Sequence, residues 1–152
     1  SPPDRKKEML KTLRAIRAGL DAAPRKMELW ITLYTHELDL FDDETARLID
    51  GVTFWTWSCA ELSRLPERYA LLAEKFPAQK KLLGIYMLDY PTCLPVPNDL
   101  MELQCGFGLD MMKKGRADGM VFLTNCVMGV GLESEYFLRT WIDAVKNTPV
   151  PD

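Results

Sequence analysis

Four short runs of aliphatic, β-branched and aromatic residues are spaced along the chain, and each is followed by a stretch with helical periodicity. The runs predict strands at 29–35, 52–57, 82–90 and 119–125. The periodic stretches predict helices at 43–49, 66–76, 98–114 and 133–146, with a further helix at 4–22 before the first strand. This alternation predicts right-handed βαβ crossovers and a parallel sheet. The predicted fold class is α/β, with four βα units.

Four βα units make either a small open sheet or half of an eight-stranded (β/α)8 barrel, and two features favour the half-barrel. No GxGxxG or GxxxxGK loop follows the first strand. Alternate strand positions carry large or polar residues that we expect to face a barrel lumen: Thr32, Tyr34, His36, Thr53, Trp55, Trp57, Gly84, Tyr86, Tyr90, Phe122 and Thr124. The aliphatic side chains between them are expected to face helices: Leu29, Ile31, Leu33, Val52, Phe54, Leu83, Ile85, Met87, Val121 and Leu123.

Length and charge limit the classes of partner. The chain has 152 residues, 47% of them hydrophobic, which predicts one α/β domain over residues 1–152 and leaves open that it is a fragment of a larger barrel. The net charge is −3, with no basic patch, so we expect no nucleic-acid partner. No apolar run reaches the roughly 20 residues of a membrane-spanning helix, so we expect no membrane partner.

A half-barrel would have two unpaired edge strands. Exposed edges of this hydrophobicity tend to associate with other strands. We therefore expect a partner, which is either a missing N-terminal half-barrel or a second copy of this chain in a homo-oligomer.

Polar and aromatic residues follow the ends of the predicted strands, where a parallel barrel gathers its ligand-binding groups. Carboxylates among aromatic rings are what glycoside hydrolysis requires. The catalytic candidates are Asp89 and Glu37, with His36 as an acid/base or a ligand-holding residue. The alternative is that these acids only cap turns or form ion pairs. The candidates for carbohydrate binding are Trp55, Trp57, Tyr34, Tyr86, Tyr90 and Asn125, although the two tryptophans could instead fill the lumen.

Three segments carry a resemblance to a known group of proteins. Phe54-Trp55-Thr56-Trp57, the run from Gly84 to Tyr90 and the block from Leu100 to Asn125 together resemble the C-terminal half of uncharacterised glycoside-hydrolase-like barrel proteins. The resemblance implies barrel strands five to eight and a carbohydrate ligand. It would put Asp89 at the end of the seventh strand, where retaining barrel glycosidases often carry their nucleophile. A non-catalytic half-barrel that binds sugar or completes its sheet with a partner is the alternative.

The direction of the Asp89 side chain depends on the strand before it. If Gly84, Tyr86 and Tyr90 face the lumen, then Asp89 points outward unless the strand ends or bulges at Leu88. Tyr86 and Tyr90 are therefore the firmer predictions for contact with a ligand.

The four cysteines are widely spaced and contain no CxxC pair, which predicts reduced thiols and weakly favours a cytoplasmic location. His36, Cys59, Cys93 and Cys126 each follow a different strand and could in principle form a zinc site. Structural zinc sites usually contain closely spaced ligand pairs, and this set has none. We predict neither a metal nor a cofactor.

Overall fold

Helices and strands alternate along the chain in the computed structural model, which describes residues 2–124 and 127–152. The α-helices of this part are α1 (Pro2–Asp21), α2 (Asp43–Ala46), α3 (Leu65–Lys75), α4 (Asn98–Lys113) and α5 (Glu133–Val145). The strands are β1 (Trp30–Tyr34), β2 (Gly51–Trp55), β3 (Lys80–Tyr86), β4 (Leu88–Asp89), β5 (Leu94–Pro95) and β6 (Gly119–Leu123). Two 3₁₀ helices cover Thr35–Leu40 and Cys59–Arg64.

The main sheet has four parallel strands in the order β1-β2-β3-β6. Strands that follow one another along the chain are also neighbours in this sheet. β4 and β5 form a separate antiparallel pair at the exit from β3. The predicted α/β class and parallel sheet are confirmed.

One face of the sheet, here named the covered face, packs against the helices. A row of paired residues crosses all four strands on this face: Leu33, Phe54, Leu83 and Met120. The Tyr69 ring of α3 lies 6.1 Å from the Phe54 ring. A Cβ on Gly108 of α4 would lie 2.5 Å from the Met120 side chain, so α4 also approaches this face closely. Leu13 of α1 and Leu138 of α5 belong to the same core.

The opposite face, here named the open face, contains this set of paired residues: Trp30, Thr32, Tyr34, Gly51, Thr53, Trp55, Leu82, Gly84, Tyr86, Gly119, Val121 and Leu123. None of the helix contacts described above involves this set, and Thr32 on it is exposed. Parallel sheets normally have both faces buried. The open face also carries Lys80, Thr32 and Thr53, but most of its side chains are apolar, which is unusual for a face that these helices do not cover.

A bulky side chain lies over a glycine in each of the three strand pairs on the open face. A Cβ on Gly51 would stand 2.4 Å from the Trp30 ring, and one on Gly84 would stand 2.1 Å from the Trp55 ring. A Cβ on Gly119 would stand 3.0 Å from Leu82. Each glycine is the direct register partner of the residue above it. Glycine is required at Gly51 and Gly84 because the ring occupies the space of a side chain.

The predicted sides of β6 are wrong. Phe122 pairs with Ile85 and lies 6.2 Å from the Trp141 ring of α5, which places Phe122 on the covered face. Val121 pairs with Gly84, and Leu123 pairs with Tyr86, so both lie on the open face. The prediction failed because β6 is apolar at each of these positions, and its sequence pattern does not distinguish the two sides. Thr124 follows the end of the strand.

Two aspartates at the starts of β2 and β6 tie neighbouring strands together. Asp50 accepts hydrogen bonds from the backbone N–H of Leu29 and from the Arg17 guanidinium, both at 2.7 Å. Asp118 accepts a hydrogen bond from the backbone N–H of Lys81 at 2.8 Å. Asp50 thus fixes the register of β2 against β1, and Asp118 fixes the register of β6 against β3.

α1 has 20 residues and is largely polar. An ion pair from Arg14 to Glu44 holds it beside α2, an ion pair from Arg17 to Asp50 joins it to the start of β2, and its Leu13 is buried. In the described part of the chain, neither α1 nor any other helix has the length and apolar character that crossing a bilayer would need.

Candidate functional site

Six aromatic side chains meet at the C-terminal end of the open face, and we name this group the ring cluster: Tyr34, His36, Trp55, Trp57, Tyr86 and Tyr90. Each was a predicted site residue, and they come from β1, β2, β3 and the segments that follow. The arrangement arises because strands β1 to β3 are parallel and in register, so their C-terminal ends meet at one edge.

Trp57 is the central ring of the cluster. Its ring stacks on Tyr90 at a centroid distance of 4.3 Å and an interplanar angle of 16°. Its edge contacts are to Tyr34 at 5.7 Å and Tyr86 at 6.2 Å. Trp57 nevertheless keeps 39% of its surface exposed, so a flat apolar surface remains accessible at the strand ends.

Below Trp57, the cluster is buried and held by hydrogen bonds. Trp55 and Tyr86 are each 7% exposed, with ring centroids 4.6 Å apart. The Trp55 indole N–H donates to the Thr53 hydroxyl at 3.0 Å. Burial, followed by a hydrogen bond with the Tyr34 side chain, raises the pKa of the Tyr86 hydroxyl. Tyr86 therefore stays protonated at neutral pH as a neutral hydrogen-bonding group.

Asp89 lies beside the cluster, but its carboxylate is used within the protein. β3 ends at Tyr86, and the chain bends at Met87 before Leu88 and Asp89 pair with β5. The buried Asp89 carboxylate accepts hydrogen bonds from the backbone N–H of Cys59 at 2.8 Å and from the Thr92 hydroxyl. These bonds lower the pKa of Asp89, with the Thr92 hydroxyl contributing most. The anion is thus stabilised by the two loops it joins, and the catalytic role predicted for Asp89 stays a prediction.

Glu37 and His36 follow β1 in the first 3₁₀ helix and point in different directions. The Glu37 carboxylate turns back and accepts a hydrogen bond from the backbone N–H of Tyr34 at 3.2 Å. It lines a groove with Arg5 and Met9 of α1. The His36 ring is exposed and stacks on Tyr34 at 5.6 Å and 11°. Of the two, His36 belongs to the ring cluster.

The predicted residue Asn125 and the zinc candidate Cys126 lie outside the described residues. Within 2–124 and 127–152, no group of three or more histidine, cysteine or acidic side chains is placed to hold a metal ion. Burial and the nearby Asp89 carboxylate raise the pKa of the Cys59 thiol to about 11, which keeps that thiol protonated.

Two polar residues near the strand ends were not singled out from the sequence. Thr92 holds Asp89, and Glu61 accepts a hydrogen bond from the buried Thr35 hydroxyl at 3.2 Å. Asp89 and Thr92 are three residues apart, with Pro91 between them. This pattern is a sequence signal for a turn stabilised by its own side chains. No comparable local signal links Thr35 to Glu61, because that contact joins two different loops.

Comparisons with known proteins bear on the resemblance seen in the sequence. No protein-family model, curated protein or solved structure matches this chain. The resemblance to glycoside-hydrolase-like barrels therefore stays a prediction, and the function must be argued from the ring cluster and the sheet.

Proposed function

We propose that the four βα units form half of a (β/α)8 barrel, with the open face as its lumen. The support is the strand order, in which every crossover joins neighbouring strands in one direction. Right-handed crossovers of this kind place all helices on the same side of the sheet. Doubly wound sheets instead reverse their order and carry helices on both faces.

We further propose that the complement of this half-barrel is another run of four parallel strands connected by helices. β1 and β6 are the two edges of the sheet, and a barrel would pair both of them. α1 packs beside α2 and the first 3₁₀ helix, whereas α5 packs against α4 at the other end. In a symmetric dimer, α5 of one copy and α1 of the other would fall in the same gap between strands. A complement that has neither a leading helix nor a helix after its last strand avoids this conflict, because α1 and α5 then fill the two junctions between the halves.

We propose that the ring cluster binds carbohydrate. The observation that carries this proposal is the exposed Trp57 ring, stacked on Tyr90 at the C-terminal end of a parallel sheet. Ligands of parallel α/β folds bind at this end. Sugar rings have apolar C–H faces that pack on flat aromatic surfaces, and the half-buried Tyr34 offers a hydroxyl beside them.

Titration of the protein with neutral hexasaccharides tests this proposal, with intrinsic tryptophan fluorescence and calorimetry as readouts. We expect Trp57→Ala to weaken binding by at least about tenfold, because it removes the exposed platform. Tyr136→Ala is the matched control, since Tyr136 is an aromatic residue on α5 that is 75% exposed. Equal affinity of the Trp57→Ala protein and wild type would exclude the ring cluster as the binding site.

Glycoside hydrolysis is the second candidate function. The observation that favours it is the position of an ionised Asp89 immediately before Tyr90 of the ring cluster, because a retaining nucleophile must be a carboxylate. The test is turnover of a panel of aryl glycosides by wild type and Asp89→Asn, with thermal melting of both proteins as a control for folding. Turnover that is unchanged in a folded Asp89→Asn protein would remove Asp89 from the mechanism.

We also propose a cytoplasmic location. Its support is that Cys59, Cys93 and Cys105 are all unpaired thiols, as is usual in a reducing compartment. Fractionation of cells that express the tagged full-length protein tests this proposal.

A further inference from the structure

The loops at the C-terminal ends of the main strands are mainly acidic. The segments 35–43, 56–64, 87–99 and 124–133 together contain eight acidic residues and one basic residue, Arg64, which pairs with Glu67. The segments leading into the strands have the opposite balance: 22–29, 47–50, 76–81 and 114–118 contain seven basic and three acidic residues. The N-terminal part of α1 also lies at this end, since Arg5 lines a groove with Glu37 and Lys6 lies near Asp42, and residues 4–8 add three basic and two acidic residues. The end of the sheet that carries the ring cluster therefore keeps a net negative charge.

Helix dipoles do not reverse this sign. The N-termini of the helices that follow the strands lie at this end and contribute partial positive charge. Acidic residues occupy the first turns of all these helices: Asp43 and Glu44 in α2, Glu67 in α3, Asp99 in α4, and Glu133 and Glu135 in α5. These carboxylates offset the dipoles at short range.

The ring cluster itself supplies no permanent cation. Its members are tyrosine and tryptophan side chains and one histidine, and the faces of the tyrosine and tryptophan rings carry negative electrostatic potential. Asp89, next to Tyr90, is held as an anion by Thr92 and Cys59. A carboxylate or sulfate group on a bound sugar would find one arginine in the four loops, Arg64, and that arginine already pairs with Glu67.

We infer that the ring cluster selects saccharides without negative charge, and that it binds protonated amino sugars more tightly than the corresponding neutral sugars. This inference rests on the proposed carbohydrate-binding function and adds the ligand class. Like charges meeting across an interface oppose binding, whereas an ammonium group gains both from the carboxylates and from the ring faces.

Two matched pairs of hexasaccharides test the inference by calorimetry at low salt and about pH 6, where uronate carboxylates are ionised and the amines of glucosamine oligomers, which are weaker bases than lysine, are mostly protonated. The β-1,4-linked mannose and mannuronate hexamers differ in one carboxylate per sugar, and the β-1,4-linked glucose and glucosamine hexamers differ in one amine per sugar. We expect the mannuronate hexamer to bind at least about tenfold more weakly than the mannose hexamer, with a smaller difference as salt screens the charges. We expect the glucosamine hexamer to bind more tightly than the glucose hexamer.

A charge-reversal variant separates the local field from the net charge of the protein. Asp39→Lys introduces a cation at an exposed position in the loop after β1. It should reduce the difference in affinity between the mannose and mannuronate hexamers. Asp143→Lys changes the net charge equally on an exposed residue near the C-terminal end of α5, about 15 Å along that helix from Glu133, and should leave the difference unchanged.

The outcomes are distinguishable. Mannuronate binding as tight as, or tighter than, mannose binding would overturn the inference while supporting carbohydrate binding. If Asp39→Lys and Asp143→Lys reduced the difference in affinity between the mannose and mannuronate hexamers equally, the inference would also be overturned, because the selectivity would then follow net charge alone. Failure of all four hexasaccharides to bind would overturn the proposed carbohydrate function itself.

Discussion

At the scale of single residues, aspartates beside the sheet accept hydrogen bonds from backbone N–H groups that the sheet leaves unpaired. Asp89 joins the loop after β2 to the loop after β3, and Asp50 joins the start of β2 to the start of β1. Removing the buried Asp89 carboxylate leaves its donors unsatisfied, which costs more than the loss of one average hydrogen bond, whereas water can partly replace the half-buried Asp50. These residues should therefore matter for stability whether or not a ligand is present.

Asp89→Ala should lower the free energy of unfolding by about 2 kcal/mol, because the Cys59 N–H and the Thr92 hydroxyl lose their acceptor. Asp89→Asn should cost less, since the amide oxygen can still accept one of these bonds. Urea denaturation of both variants measures the effect, with Asp39→Ala as an exposed control in the loop after β1. An unaltered stability of Asp89→Ala would show that the two loops are held by other contacts.

The described cysteines should differ sharply in reactivity. Burial raises the pKa of Cys105 to about 12, and burial together with Asp89 raises the pKa of Cys59 to about 11, whereas Cys93 is exposed. Because the thiolate is the reactive form, Cys93 should react with a disulfide reagent at mildly alkaline pH well before Cys59 and Cys105. Peptide mapping after timed labelling measures the order. Labelling of Cys59 ahead of Cys93 would contradict this expectation.

At the scale of elements, the contact between β2 and β3 depends on a ring that covers a glycine. Gly84→Ala would place a Cβ 2.1 Å from the Trp55 ring, so the ring must move away from its position between Thr53 and Tyr86. We expect a loss of about 1–3 kcal/mol, as is usual for overpacking. Weaker ligand binding should accompany it, since Trp55 supports the ring cluster.

Gly106→Ala is the matched control for Gly84→Ala. Gly106 lies within α4, and a Cβ there would meet nothing within 4 Å. Alanine favours the helix, so this variant should gain about 0.5–1 kcal/mol. Thermal melting and urea denaturation compare the two. Similar stabilities of both variants would show that Trp55 can move away at no cost.

Most helices and strands of the fold followed from local sequence signals, and the exceptions have physical reasons. The four main strands and five helices were predicted within a few residues, because apolar periodicity and residues such as Pro66 and Gly115 act locally. The two 3₁₀ helices and the β4–β5 pair were missed. They depend on contacts between different loops, such as Thr35 with Glu61 and the Cys59 N–H with Asp89, which leave no local pattern in the sequence.

Residues of the candidate site could be predicted from sequence where the alternation of side chains between the two faces of a strand could be predicted. Tyr34, Trp55 and Tyr86 have their positions fixed by a shared register, and alternation alone brought them together. Asp89 was different, because its direction depends on the bend at Met87 and on the turn that follows. Side chains placed by a regular strand can be located from sequence, whereas those placed by a turn require the loop conformation.

At the scale of the whole molecule, stability should fall in acid because several carboxylates are stabilised as anions in the folded state. Hydrogen bonds lower the pKa values of Asp42, Asp50 and Asp89 below the ordinary value of 3.8. Their contribution is complete above the unfolded-state pKa and is lost as pH falls through the lower folded-state values. Urea denaturation should therefore show a flat stability above about pH 5 and a steady loss below about pH 4. A variant with asparagine at all three positions should lose less stability as the pH falls. An unchanged slope of the unfolding free energy against pH would show that these three carboxylates do not cause the loss.

The open face and the two sheet edges should govern association of the whole chain. If the complement is a separate run of βα units, wild type should be a 17.4 kDa monomer with weak association that increases with concentration and does not stop at a dimer. The double variant Val121→Lys and Leu123→Lys places two charges on the open face of the edge strand β6 and should reduce that association with little loss of stability.

Phe122→Lys is the contrasting control on the covered face, where loss of packing on Trp141 should unfold the protein. Sedimentation velocity and thermal melting read out both effects. A discrete, tight dimer that the double variant abolishes would instead identify a second copy of this chain as the complement, and α1 or α5 would then have to move to accommodate it.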